Sequence, residues 1–294
     1  MSRPRDHRFG LLAASAGVLV FVPDALTMRL ADMDAFALSA FRGLVGGVLL
    51  TLGCLVVYGR GLWPAIRGLG GWGVALATLE GISTLLFVLS IAWTSVANAM
   101  LAFAATPLIA ALVARLTLGE RLSRQTMAAI VAVMAGLGLV AADGWSEGGS
   151  SPLGVAAGIG SAVTIACFFV LLRRLKAQSA TPMIGPGWIV GALIALPFAD
   201  FGGVQAEQYF WAFVSGGIIL PVAIALVALG TRYIPAAEAS MLTLMEVAAS
   251  PLLVWAVLGE VPGPLTLAGG AVVLTALGAH ALWRLRAAPD PAPA

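Results

Sequence analysis

Apolar residues fall along the chain in ten long blocks, separated by short stretches where Gly, Pro, Arg and Asp collect. A helix needs about 20 mostly apolar residues to cross the hydrocarbon core of a bilayer. The blocks lie near 9–28, 34–58, 71–92, 96–116, 124–142, 152–175, 183–199, 208–231, 236–258 and 264–284. They are apolar all round rather than alternating, which predicts helices and not the strands of a transmembrane barrel. The pattern therefore predicts an all-α polytopic membrane protein with ten transmembrane helices. Arg3, Arg5 and Arg8 ahead of the first block imitate a signal peptide. That block is as long as a full span and lacks a clear small-x-small cleavage site before a mature domain, so it reads as an uncleaved first span. The tail 287–294 is expected to be disordered.

Composition agrees with the pattern: 60% of residues are hydrophobic and 10% charged, with a mean hydropathy of +1.00. Soluble domains carry about 25% charged residues, so a fold this poor in charge has too little polar surface to be a cytosolic enzyme, a nucleic-acid binder or a disordered regulator. The placement of the charges adds orientation. With the N-terminus in the cytoplasm, Arg3, Arg5, Arg8, Arg60, Arg67, Arg115, Arg121, Arg124, Arg173, Arg174, Lys176, Arg232, Arg284 and Arg286 fall inside. Only Arg29 falls outside, and Arg42 lies within span two, so 14 + 1 + 1 accounts for all 16 basic residues. Asp32, Asp34, Asp143, Glu147, Asp200 and Glu207 mark the outer loops. The positive-inside rule then places both termini in the cytoplasm of a bacterial inner (plasma) membrane. Trp63, Trp72, Trp93, Trp145, Trp211 and Trp283 stand near span ends, as an aromatic belt requires.

Shifting the chain by 140 residues aligns its halves. Ala97-Asn98-Ala99 meets Ala237-Glu238-Ala239, Leu118-Gly119-Glu120 meets Leu258-Gly259-Glu260, and Thr126-Met127-Ala128 meets Thr266-Leu267-Ala268. Five spans per copy is an odd number, so the second copy sits inverted, a recurring transporter plan with the site near the midplane. The expected division is 1–148 for the first five-helix repeat and 149–286 for the second.

These residues resemble the drug/metabolite transporter superfamily, EamA branch. The resemblance rests on Phe41-Arg42 in span two, the Ala97-Asn98-Ala99 and Ala237-Glu238-Ala239 helix starts, the embedded Pro107 and Pro251, and the two Leu-Gly-Glu turns. It covers nearly the whole chain and implies a 5+5 inverted repeat, inner-membrane location and export of small metabolites. Within the family, overall similarity is to the YddG-type exporters, which handle aromatic and other apolar amino acids.

Ionisable groups at a helix centre cost about 2.5–3.5 kcal/mol on insertion scales, so each calls for a reason. From the 1.5 Å rise per residue, Glu80 lies roughly 14 Å, Glu246 roughly 15 Å and Arg42 roughly 12 Å from the nearer span end. Asp24 is shallower, one turn from the outer end of span one, where water can solvate it. Arg42 either pairs with a carboxylate and pins two helices, or meets a solute. With one deep cation and two deep carboxylates besides Asp24, at least one acid lacks an ion-pair partner. An unpaired Glu80 or Glu246 is a candidate for proton coupling, because apolar surroundings disfavour the charged carboxylate.

Helical spacing puts Glu80, Thr84 and Phe87 on one face, Thr243, Glu246 and Ser250 on another, and Ser161, Thr164 and Phe168 on a third. Phe21 stands one turn before Asp24. The plain alternative for each is that Ser and Thr bond their own helix carbonyls while Phe faces lipid. Asn98 and Glu238 are expected to cap spans four and nine, and Glu120 and Glu260 to be structural. Pro23, Pro107, Pro221 and Pro251 are expected to interrupt helical backbone hydrogen bonding and to kink their helices. Gly43/Gly47, Gly154/Gly158 and Gly187/Gly191 are small-residue pairs for close helix contact.

Cys54 and Cys167 lie in apolar runs, and HExxH, CxxC, Gly-x-Ser-x-Gly and Walker A patterns are missing. No enzyme activity, cofactor, metal or nucleic acid is expected; the partners are an amino-acid substrate and membrane lipid, with a single copy as the working assembly. The expected function is export of amino acids, aromatic or apolar ones favoured, by alternating access. The substrate carboxylate would meet Arg42 or helix-terminal amides, its ammonium Glu80, Glu246 or Asp24, and its side chain Phe21, Phe87 and Phe168. The rival is export of another small solute such as a drug cation or a purine.

Overall fold

The computed structural model describes residues 4–119, 123–146, 151–175, 181–231, 233–234 and 236–286. Every regular element among them is helical. Span one is α1 (Pro4–Phe21) followed by α2 (Asp24–Ala31), span two is α3 (Ala35–Tyr58), and α4 (Leu62–Gly68) is a short connector. Span three is α5 (Gly71–Trp93), span four is α6 (Val96–Ala104) with α7 (Thr106–Leu118), and span five is α8 (Arg124–Ser146). Spans six and seven are α9 (Pro152–Arg174) and α10 (Thr181–Ala195). Span eight joins α11 (Ala206–Phe213) to α12 (Leu220–Gly230) through a π-helical turn, Val214–Ile219. Spans nine and ten are α13 (Ala236–Leu258) and α14 (Pro264–Arg286). Among the described residues, nine of the ten blocks hold a helical stretch of 18 or more residues apolar enough to cross a membrane, and the ninth block adds the shorter apolar stretch Met245–Leu258.

The prolines explain two of the three interruptions. Proline has no N–H and its ring crowds the preceding turn, so it is best tolerated at the start of a helical segment. Pro23 ends α1 and stands at the start of α2, and Pro107 lies in the first turn of α7. Pro221 lies in the first turn of α12, just after the π-helical turn. Pro251 lies inside α13, which continues through it although proline supplies no backbone N–H there.

The repeat is visible in which helices touch. The most extensive pairings are α5 with α9, α3 with α10, α8 with α14, α5 with α10, and α1 with α12. Exchanging each span for the one five places away turns the α5–α9 pair (spans three and six) into the α12–α1 pair (spans eight and one). The α3–α10 and α8–α14 pairs map onto themselves. A two-fold relation between five-helix halves requires this, and the odd span number makes it inverted. These pairings all cross between the halves, so the halves interdigitate instead of forming separate lobes.

Small residues set the closest crossings. A Cβ on Gly81 of α5 would lie 2.6 Å from the Gly187 carbonyl oxygen and the Gly191 nitrogen of α10. Lipid tails are as apolar as leucine, so such backbone-to-backbone packing carries helix association in a membrane. The matched Leu-Gly-Glu turns also have a backbone reason. Gly119 (φ 72) and Gly259 (φ 70) both close a helix in the left-handed region that only glycine enters without strain. Glu260, next in its turn, accepts the backbone N–H of Val96 at 2.7 Å and so caps span four from the nine–ten connection. Its mate Glu120 lies outside the described residues.

The bundle end where 32–34, 94–95, 199–205 and 259–263 turn carries Arg29 as its one basic residue among the described ones. It is the arginine-poor end; the opposite end is arginine-rich.

Candidate functional site

Two buried carboxylates define two polar centres within the bundle. The first is built on the break in span one. The chain leaves the helix at Val22-Pro23, and Asp24 opens α2 only 4% exposed. Ser250 of α13 donates to the Val22 carbonyl oxygen at 2.9 Å, satisfying an acceptor at the break. Asp24 accepts from Arg42 Nη2 of α3 and from Ser215 Oγ, the latter at 2.6 Å. Arg42 Nε also donates to Ser215 Oγ, at 2.8 Å. Arg42 is 3% exposed and Ser215 fully buried. Ser215 stands in the π-helical turn of span eight, the kind of irregularity that re-aims a side chain within a helix. A Cβ on the adjacent Gly216 would lie 2.8 Å from Arg42 Cα, so glycine lets the two helices close around the triad.

This arrangement corrects one expectation. Asp24 is not solvated near the end of span one; it is the buried anion of an ion pair. Arg42 takes the pinning alternative and ties spans one, two and eight together. Ser215 had no signal in the sequence, because a serine among Val, Gly and Ile reads as a small helix-packing residue.

Glu246 of α13 is half-buried one helical turn before Ser250, the residue by which α13 reaches the break in span one. Among the described residues no ion pair or hydrogen bond reaches it. Ser250, one helical turn on, confirms that this face of α13 turns toward the break. The Thr243 side chain lies outside the described residues.

The second centre lies where α5 crosses α10. Glu80 is 7% exposed, and Trp188 Nε1 donates to its Oε1 at 3.1 Å. Its Oε2 is buried with no hydrogen-bond partner among the described residues. A Cβ on Gly187 would lie 2.6 Å from Glu80 Cβ and Cγ, so glycine at 187 makes room for the carboxylate. Trp188 sits inside the Gly187/Gly191 pair, yet the pairing of its indole with Glu80 has no sequence signature. Trp188 and Phe21 belong to one apolar cluster with Leu50 and Leu220. Phe21 is one turn from Asp24, so this cluster joins the two centres.

The remaining candidates divide. Thr84 is half-buried one turn from Glu80. Phe87 packs edge-on against Phe103 at 5.1 Å between centroids, on the main apolar cluster. Ser161 donates to the Ser83 carbonyl oxygen at 2.9 Å while Ser83 donates to that of Ser161 at 3.1 Å, a clasp between α9 and α5. Thr164 bonds the carbonyls of Gly160 and Ser161 in its own helix, both at 3.0 Å. Phe168 is 1% exposed, packed among Leu76, Leu172 and Met183. The structure thus gathers Phe21, Asp24, Arg42 and Glu246 at one centre and Glu80 with Trp188 at the other, and ties Ser161 and Thr164 into helix contacts.

Asn98 also departs from its expected role. Ser95 accepts from Asn98 N at 3.2 Å and is the cap. The Asn98 side chain donates to Thr94 Oγ1 at 3.1 Å and accepts from Thr266 Oγ1 at 2.7 Å, pinning span four to span ten. The Glu238 side chain lies outside the described residues. Among those residues no group of three His, Cys, Asp or Glu is arranged to hold a metal ion.

A family model described as the EamA-like transporter family matches residues 8–142 and again 152–279. No curated protein sequence matches the chain. A solved structure titled only "Crystal structure of protein" is similar in fold, with a TM-score of 0.63 at 18% identity over 97% of this chain and 99% of that one.

Proposed function

From the premise that the chain belongs to the EamA-like transporter family, we propose that this multi-pass membrane protein exports amino acids. Aromatic and apolar ones are favoured, and the mechanism is alternating access across a bacterial inner membrane with both termini in the cytoplasm. The observation that carries the reading is a count of charges. Asp24 and Ser215 satisfy Arg42, so among the described residues Glu80 and Glu246 face no cation. Uncompensated carboxylates deep in a membrane protein mark solute or proton pathways.

In this reading the ammonium group of the substrate meets Glu80 or Glu246, and its side chain lies on Phe21, Phe87 and Trp188. Thr84 lines the same face of α5. The carboxylate of the substrate meets the helix-terminal amides freed where span one breaks, the device by which discontinuous helices hold anionic groups in other transporter folds. Arg42 acts indirectly, by holding Asp24 and so the break itself. Ser161, Thr164, Phe168 and Thr243 frame the path rather than touch the solute.

Radiolabelled phenylalanine, threonine and a nucleotide sugar, offered to proteoliposomes, test this. Uptake of the amino acids is expected; uptake of the sugar alone would sink the reading. The pairing of Arg42 with Asp24 also favours a second reading, export of organic cations, since it leaves two acids and no free arginine in the core. Phenethylamine is phenylalanine without its carboxylate and separates the two. A cation exporter moves it, and an amino-acid exporter leaves it behind.

A further inference from the structure

A cavity of about 90 Å³ opens at the arginine-poor end, lined by Met28, Arg29, Asp32, Met33, Val88 and Ile91 among others. Arg29 is held at its edge by a latch. Its Nη2 donates to the Thr94 carbonyl oxygen at 2.6 Å and reaches Glu260 Oε1 at 3.4 Å, while its Nε faces Glu260 Oε2 at 3.3 Å. Glu260 also accepts the Val96 N–H at 2.7 Å. One ion pair therefore joins the end of span one, the three–four connection, the start of span four and the nine–ten turn. Both side chains are 26% exposed.

The energetics make this latch exchangeable. A partly exposed ion pair contributes little to stability, whereas the Asp24–Arg42 pair is sealed from water. Any carboxylate entering the cavity competes with Glu260 for the same guanidinium, and arginine binds carboxylates bidentately. On this measure about 10–15 Å³ suffices for one water, so about 90 Å³ takes several waters, or the carboxylate and α-carbon of an amino acid. Met28, Met33, Val88 and Ile91 offer apolar walls to its side chain, and the exposed Asp32 offers a partner for its ammonium group.

We propose that this cavity is a second binding site, for the carboxylate of a small amino acid, and that a solute bound to Arg29 displaces Glu260 and releases the latch between spans one and four. The choice of an amino acid rests on the function proposed above; the carboxylate site does not.

Ala92 also lines the cavity and is exposed. In the full chain with Cys54 and Cys167 replaced by serine, Ala92→Cys is labelled with a membrane-impermeant maleimide in proteoliposomes. Labelling is timed with alanine, propionate or alaninamide present, and uptake of labelled phenylalanine is measured in the same vesicles. Alanine and propionate are expected to slow labelling saturably, and alaninamide is not. Arg29→Gln raises the half-protecting concentration at least about tenfold, because even one charge-assisted hydrogen bond of the bidentate pair is worth that much. Glu260→Gln lowers it, because the competitor is gone. Equal protection by alaninamide, protection unchanged in Arg29→Gln, or a half-protecting concentration that does not fall in Glu260→Gln overturns the proposal. Phenylalanine uptake with no protection by either carboxylate overturns the site alone. Protection by propionate without amino-acid uptake supports the site and overturns the amino-acid reading.

Discussion

Asp24 and Glu80 are both carboxylates more than nine-tenths buried in the same bundle, yet their surroundings are opposite. Asp24 uses both oxygens, one on Ser215 and one on Arg42, and the positive charge beside it is itself satisfied. Glu80 uses one oxygen, on an uncharged indole, and leaves the other without a partner among the described residues. Burial alone therefore does not identify a working charge in a membrane. A saturated ion pair is a strut: moving it exposes two charges to hydrocarbon at once. A half-satisfied carboxylate can take a proton or a cation at little structural cost, because little is built on its remaining oxygen. On this argument the break in span one is held fixed, and the crossing of α5 and α10 is where chemistry can change during a transport cycle.

The largest expected effect breaks the strut. Arg42→Met leaves Asp24 buried without its cation, and removing one partner of a buried pair costs about 3–5 kcal/mol. Thermal unfolding in detergent should show a large loss for the single variant and recovery of most of it in Asp24→Asn/Arg42→Met, where no lone charge remains. A single variant that keeps its stability and loses only transport puts Arg42 on the solute, and the contrast with Glu80 then collapses.

That contrast was only partly legible in the sequence. The ten apolar blocks, the 140-residue shift and the placement of basic residues all follow from local composition, and composition fixes which segments leave water. The depth of Asp24 did not follow from it. Counting residues from a span end assumes an unbroken helix, and Pro23 breaks span one just where the count was made. The partners were further out of reach: Ser215 lies 173 residues from Arg42, and Trp188 lies 108 from Glu80. Periodicity places a residue on a face of its own helix, but it does not say which helix covers that face. Ser161 shows the cost, because the face it shares with Phe168 packs against α5 and against Leu76, Leu172 and Met183, and its hydroxyl is spent on that helix contact.

The intermediate effect sharpens the contrast. Trp188→Phe removes the indole donor and keeps the ring. A hydrogen bond to a charged group is worth about 1.5–3 kcal/mol and one between neutral groups about 0.5–1.5 kcal/mol. A double-mutant cycle of Trp188→Phe with Glu80→Gln thus reports which form of Glu80 the folded protein holds. Glu80→Gln alone should leave stability nearly unchanged while removing the response of transport to an imposed pH gradient. If neither the gradient nor the variant alters the rate, proton coupling through Glu80 is wrong, whatever the cycle gives.

The smallest effect tests the rule where it is least flattering to the sequence reading. Ser161 lies on the α5–α9 contact, with both partners in the reciprocal clasp being backbone carbonyls. Side-chain hydrogen bonds between membrane helices average about 0.6 kcal/mol in double-mutant cycles, so Ser161→Ala should cost about that much stability. The half-saturating concentration for phenylalanine should not move, because the hydroxyl is already spent and alanine leaves the helix crossing intact. A rise of about tenfold in that concentration, equivalent to roughly 1.4 kcal/mol of binding, with unfolding unchanged would mean the clasp opens during the cycle and presents Ser161 to the solute. In that case saturation in one conformation is no guide to function, and the assignment of Asp24 as a strut would need the same test in the opposite conformation.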